Sequence, residues 1–163
     1  MTTQSCLVKE YYQSIVDGKI KQEFSIVDGK KDGICKGYYQ SGTIKKVCYY
    51  IEGNLDGQFI EYFHNGSVYF IENYINGIQE GTYQKYFNDG QLKISSNYKN
   101  NNLNGEYKSY HRNGNLHIDC NYNDGNKDGE YLEYDQNGYL IKSIVYENGL
   151  ELSDENDILV KSC

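Results

Sequence analysis

The chain has 163 residues, a net charge of −7, no proline and no tryptophan. That is long enough for one domain, and its acidity argues against nucleic acid, whose phosphates most of its length would repel. Mean hydropathy is −0.78, yet 15% of the residues are aromatic and 19 are tyrosine, so low hydropathy here is no mark of disorder.

In chain order, residues 1–8 read as a short leader. An array of 24-residue units follows at 9–32, 33–56, 57–80, 81–104, 105–128 and 129–152, and 153–163 reads as a capping tail. The first unit is degenerate. Lys9 stands where later units have Gly33, Gly57, Gly81, Gly105 and Gly129, and Ser14 stands where they have tyrosine. An atypical first copy suits an end unit, which has only one neighbour.

Two further glycines recur in each unit. One closes the pairs Ser41-Gly42, Asn65-Gly66, Asp89-Gly90, Asn113-Gly114 and Asn137-Gly138, which are predicted to be two-residue type I′ hairpin loops. The other, at Gly29, Gly53, Gly77, Gly125 and Gly149, opens a longer loop such as Gly53-Asn54-Leu55-Asp56. Asn101 takes the one slot that lacks it, and asparagine is the non-glycine residue that best tolerates positive φ. Turns this closely spaced leave room for strands and not for ordinary helices.

A two-residue loop at Asn65-Gly66 sets Phe63 against Val68, Glu61 against Phe70, Phe59 against Glu72, and Gly57 opposite Tyr74. Four-residue loops at the other end set Tyr50 against Phe59, Tyr74 against Tyr83, Tyr98 against Tyr107, and Tyr122 against Tyr131. Strand alternation gathers these rings on one face, with Ile20, Ile44, Val68, Leu92, Leu116 and Leu140. The opposite face reads as polar (Lys93, Ser95, Asn97) except for a stripe of Tyr38, Tyr62, Tyr86, Tyr110 and Tyr134. The expected fold is all-β: an elongated, twisted, single-layer antiparallel sheet of about twelve strands, roughly 55 Å long at ~4.8 Å per strand.

The recurring form G-x-[YF]-x-x-Y-[FHD]-x-[ND]-G-x-[LV], as in GTYQKYFNDGQL (81–92) and GEYKSYHRNGNL (105–116), resembles MORN repeats, specifically the tyrosine-rich variant often labelled an antitoxin component. The resemblance covers about 9–149. It implies hairpin arrays that act as scaffolds or beside another domain. It also implies contact with proteins, self-association and, in some members, phospholipids. It brings no shared catalytic residues.

Chemistry-bearing motifs are sparse. His64, His111 and His117 are the only histidines, and His111 stands in the slot of Phe63 and Phe87, which points to packing. No HExxH, GxSxG or Walker-type loop occurs. No catalytic residue, cofactor or metal site is therefore expected. The recurring Asp32, Asp56, Glu80, Asn104 and Asp128 are expected to stabilise turns. Cys35 and Cys48 face each other across one hairpin in the predicted register, close enough to bridge, and buried thiols are the expected state in a reducing compartment, a disulfide being the alternative. Five cysteines without a CxxC pair, and no basic region leading into an apolar run in MTTQSCLVKEYY, point to the cytoplasm.

Charge is uneven. Residues 1–46 carry eight lysines against five acids, leaving eight bases against eighteen acids in the remainder. Lys19, Lys21, Lys30, Lys31, Lys45 and Lys46 form a candidate basic patch, the one region suited to a lipid surface. The tyrosine stripe is the main candidate binding surface, with bulky amphipathic anchors about 10 Å apart along the sheet. The expected partner is a protein, a second copy of the chain being the first candidate. Membrane binding is the less favoured alternative.

Overall fold

The structure, a computed structural model, describes residues 5–12 and 18–152. Ser14 and the capping tail lie outside them. The described residues form one open antiparallel sheet without helices. Its first half comprises β1 (Ser5–Tyr11), β2 (Ile20–Val27), β3 (Lys30–Tyr38), β4 (Ile44–Ile51), β5 (Asn54–Leu55), β6 (Gly57–Tyr62) and β7 (Val68–Ile75). Its second half comprises β8 (Ile78–Gln79), β9 (Gly81–Tyr86), β10 (Leu92–Lys99), β11 (Asn102–Tyr110), β12 (Leu116–Asn123), β13 (Asn126–Tyr134), β14 (Leu140–Glu147) and β15 (Leu150–Leu152). Neighbours in sequence are neighbours in the sheet, with β5 and β8 as short forerunners of β6 and β9. β1 takes in residues 5–8, so strand pairing runs across the boundary drawn after the leader.

The two sets of turns are the reverse of the sequence expectation. In the Asn-Gly set only the glycine has positive φ, as at Gly66 (φ 85°). Phe63 N donates to Ser67 O at 2.8 Å and Gly66 N to Phe63 O at 2.9 Å. This is a three-residue loop with a left-handed glycine. The type I′ turns are the other set: Asp28-Gly29, Glu52-Gly53, Asn76-Gly77, Asn100-Asn101, Asp124-Gly125 and Asn148-Gly149 have positive φ at both residues. The expectation for Asn101 holds, at φ 67°.

Register follows from the turns. Gly57↔Tyr74, Phe59↔Glu72 and Glu61↔Phe70 pair as expected, but a bulge then sets Tyr62, not Phe63, against Val68. On the other side the tight turn pairs Tyr50 with Leu55, Tyr74 with Gln79, Tyr98 with Leu103 and Tyr122 with Lys127, not with the rings expected. A second bulge restores the ladder; Asp56 N donates to Tyr49 O, and Gly57 (φ 92°) takes the conformation that side chains resist.

One face holds the core. Across the sheet runs the row Val8, Phe24, Cys35, Cys48, and further on Tyr83, Ser96, Tyr107, Cys120, Tyr131, Ile144. Small Cys and Ser sit beneath the rings and are buried: Cys35 is 1% exposed, and Cys48, Cys120 and Ser96 are 2% exposed. Tyr83–Tyr98, Tyr107–Tyr122 and Tyr131–Tyr146 meet edge to face at 5.8, 5.7 and 6.1 Å, a favoured geometry for aromatic pairs. A single layer thus covers much of its own core face.

The hairpins are locked to one another at both edges. At the type I′ edge Gly53 N, Gly77 N, Gly125 N and Gly149 N donate to Lys31, Leu55, Leu103 and Lys127 carbonyls of the preceding unit, at 2.7–2.8 Å. Asp32, Asp56, Glu80 and Asp128 accept from the N–H of Glu52, Asn76, Asn100 and Asn148. These acids stabilise turns, as expected, and they do so in the next hairpin.

Candidate functional site

The stripe residues Tyr38, Tyr62, Tyr86, Tyr110 and Tyr134 are all half-buried on the face opposite the cysteine row. The bulge changes their company. Their Cα partners are Ile44, Val68, Leu92, Leu116 and Leu140, and directly opposed residues project to the same side. The aliphatic series expected on the ring-bearing face therefore belongs to the stripe face. Conversely Lys93, read as part of the polar face, lies over the Phe87 ring on the core side. Tyr38 OH donates to Glu23 Oε1 at 2.6 Å, and this bond, with burial, pushes the phenol up to about 12.

Beside the first stripe residue is an apolar surface that the sequence reading missed. Leu7 (63% exposed), Ile34 (56%), Ile44 (41%), Tyr49 (43%) and Ile51 (47%) open to solvent on the stripe face. Ile34 and Tyr49 are direct partners, and a hollow of about 350 Å³ lies between Leu7, Glu23, Ser25, Ile34 and Lys36. At 24-residue spacing the column of Ile34 continues as Gln58, Thr82, Glu106 and Glu130, and that of Tyr49 as Asn73, Asn97, Asn121 and Val145. The signal was thus present in the columns: the middle units show that the fold tolerates polar residues there, and the units toward the ends carry apolar ones.

The six lysines do not share one surface. Lys31 Nζ lies 4.2 Å from the Phe24 ring centroid and 5.3 Å from that of Tyr50, and Lys46 lies over Phe59 on the same face. Lys45 faces Tyr39 at the loop edge. Lys30 follows the Asp28-Gly29 turn at the opposite edge, and Lys19 precedes β2, its carbonyl accepting from Tyr12 N. Lys21, Lys45 and Lys46 do converge, on a hollow of about 230 Å³ with Tyr12, Tyr38 and Phe59. Gly37 makes room there: a Cβ on it would lie 2.9 Å from Lys46 Cγ.

Cys35 and Cys48 are direct partners on β3 and β4, as expected, and both are free thiols. Their mutual hydrogen bond, with burial, holds the Cys48 proton in place. The same bond, aided by the charges of Lys31 and Lys46 and opposed by burial, lowers Cys35.

The histidines pack against neighbouring rings and backbone. His111 Nε2 lies 2.8 Å from the Tyr134 carbonyl, its ring packs 4.3 Å from that of His117, and His64 stacks on Tyr39 at 3.6 Å. Among the described residues no group of three or more His, Cys, Asp or Glu is arranged to hold a metal ion, and no helix is long and apolar enough to cross a membrane.

Five consecutive segments, residues 31–52, 55–76, 79–100, 103–124 and 127–148, match the family described as MORN repeat variant. The match is to the repeats and carries no antitoxin assignment. No curated protein matches the chain. Repeats of this kind are typically non-catalytic and are generally associated with protein or membrane-surface interaction. Tandem matches over more than half of the length, each spanning one hairpin closed by a three-residue loop and ending at the first residue of a type I′ turn, mean that this chain belongs to the MORN repeat variant family.

Proposed function

We propose that the protein is a non-enzymatic scaffold that holds a protein partner against its stripe face. The observation that carries this reading is the exposed group Leu7, Ile34, Ile44, Tyr49 and Ile51 beside Tyr38, in columns that turn polar in the middle units at Gln58, Thr82, Asn73 and Asn97. Apolar side chains in open solvent cost nothing to cover and release ordered water when covered, and the flanking tyrosines supply amphipathic anchors. A second copy of the chain is the first partner to test; inhibition of a toxin is a narrower form of the same reading. The buried thiols support a reducing compartment, the cytoplasm.

The test replaces Ile34, Tyr49 and Ile51 with serine. Wild-type protein and variant are compared by light scattering and by pull-down from the native cell. Lost association with unchanged melting supports the reading; retained association removes it. The lipid alternative is weaker because the six lysines are divided between two edges and the core face. Flotation with anionic vesicles at low and physiological salt tests it separately.

A further inference from the structure

Three cations meet at one place on the core side of the three-residue-loop edge. Lys85, Lys93 and Arg112 line a hollow of about 290 Å³ with Phe63, Tyr69 and Phe87. Each cation is held over a ring of the same hollow: Lys85 over Tyr69 at 5.0 Å, and Lys93 and Arg112 over Phe87, both at 5.3 Å. The wall is braced. Arg112 Nη2 donates to Asn88 Oδ1 at 3.2 Å, and the Asn88 carbonyl accepts from Asn65 Nδ2 and Ser67 Oγ of the preceding loop. Asp89 lies 4.0 Å from Arg112 Nη1, and the residues lining the hollow include three cations and no acid.

The repeat does not impose this. At 24-residue spacing the slot of Lys85 holds Gly37, Glu61, Ser109 and Glu133, that of Lys93 holds Lys45, Tyr69, His117 and Ile141, and that of Arg112 holds Gln40, His64, Asn88 and Gln136. The three cations come from two successive units, Lys85 and Lys93 from 81–104 and Arg112 from 105–128, within a chain of net charge −7. We propose that this hollow binds an aryl phosphate, its phosphate taken by Lys85, Lys93 and Arg112 and its ring laid against Phe63 and Tyr69. A phosphate monoester carries a charge of about −1.5 to −2 at neutral pH, which matches the local excess where one carboxylate does not. The planar fork of Arg112 suits phosphate oxygens, and the half-buried rings that line the hollow offer an aromatic surface that inorganic phosphate cannot use. The site is on the face opposite the stripe and stands independently of the scaffold reading. Its source is either a phosphorylated tyrosine of a protein or a free aryl phosphate.

The full chain, isotope-labelled, is titrated with phenyl phosphate while amide shifts are followed. Shifts centred on Lys85, Phe87, Lys93 and Arg112 are expected, with affinity falling at least about tenfold in Lys93→Gln and in Arg112→Gln, the loss of one charged hydrogen bond. Arg112 is exposed on a loop; should either variant lose its β spectrum, a fall in wild-type affinity with added salt provides the same test. A phosphotyrosine peptide that binds more tightly than phenyl phosphate identifies a protein source, and equal binding identifies a small molecule; both support the site. Inorganic phosphate or neutral phenol binding as tightly as phenyl phosphate, scattered shifts, or binding only to anionic vesicles would overturn it.

Discussion

The two faces of the sheet are built from the same strands, yet they solve different problems. On the core face, Ser96 and Cys120 are small enough for rings on both sides to close over them, and burial reaches 2% without a second layer. On the stripe face Tyr38, Tyr62, Tyr86, Tyr110 and Tyr134 are each paired with an aliphatic residue and stay half-buried, and Ile34 and Ile51 are left about half exposed. The difference teaches that a single-layer repeat protein can own a core on one side while its other side is free to vary.

The strongest test compares two tyrosines of one strand. Tyr131→Ala removes a buried core ring opposite Cys120 and is expected to cost about 3 kcal/mol or more, as large-to-small core changes do. Tyr134→Ala on the stripe face should cost about 1 kcal/mol or less, the scale of a cross-strand pair. Urea titrations of both variants check this, and equal losses would erase the distinction between the faces.

Alkali should attack the core face. Burial, with the Glu133 carboxylate accepting from Tyr131 OH, pushes Tyr131 up to about 12, and burial followed by the charge of Glu72 does the same for Tyr83. Burial raises Tyr98, Tyr107 and Tyr122 as well. A phenol raised in the folded state favours folding while protonated. That contribution is complete below the unfolded value of about 10 and is lost as pH rises through the folded values near 12. Circular dichroism and phenolate absorbance followed together should show cooperative unfolding in this window. Smooth titration of all tyrosines near the ordinary value, with the β spectrum intact, would contradict it.

Ser96 sharpens the comparison in the stabilising direction. Its Oγ is buried without a hydrogen-bond partner, in a row where other units hold Cys48 and Cys120. Ser96→Cys is expected to raise stability by about 1 kcal/mol by removing a desolvated hydroxyl, visible as a higher urea midpoint with unchanged slope. The smallest stability effect belongs to the exposed face: Ile34→Ser should change stability by no more than about 0.5 kcal/mol, even as association falls. A large drop in melting temperature would make Ile34 part of the core.

Much of the fold was legible because periodic glycines announce turns. Strand content, the single sheet, the Gly57↔Tyr74 and Cys35↔Cys48 pairs and the left-handed Asn101 all follow from spacing. Turn type did not. Asn-Gly is the favoured type I′ pair and takes the tight turn at Asn76-Gly77 and Asn148-Gly149, yet at Asn65-Gly66 it closes a three-residue loop, while Glu52-Gly53, with an unusual residue for positive φ, takes the tight turn. What decides between them is the neighbouring hairpin: Asp32 and the Lys31 carbonyl accept the N–H groups that the tight turn presents. The phosphate hollow escaped for a similar reason, since Lys85, Lys93 and Arg112 lie far apart in sequence and meet only across strands.

Sequence alone determined how many hairpins there are, their order, and which residues alternate across each strand, because those properties belong to a chain and its nearest turns. Tertiary structure decided which side each aliphatic residue faces and which cations meet, because a one-residue bulge reverses a strand's sidedness and its place depends on hydrogen bonds to the adjacent unit.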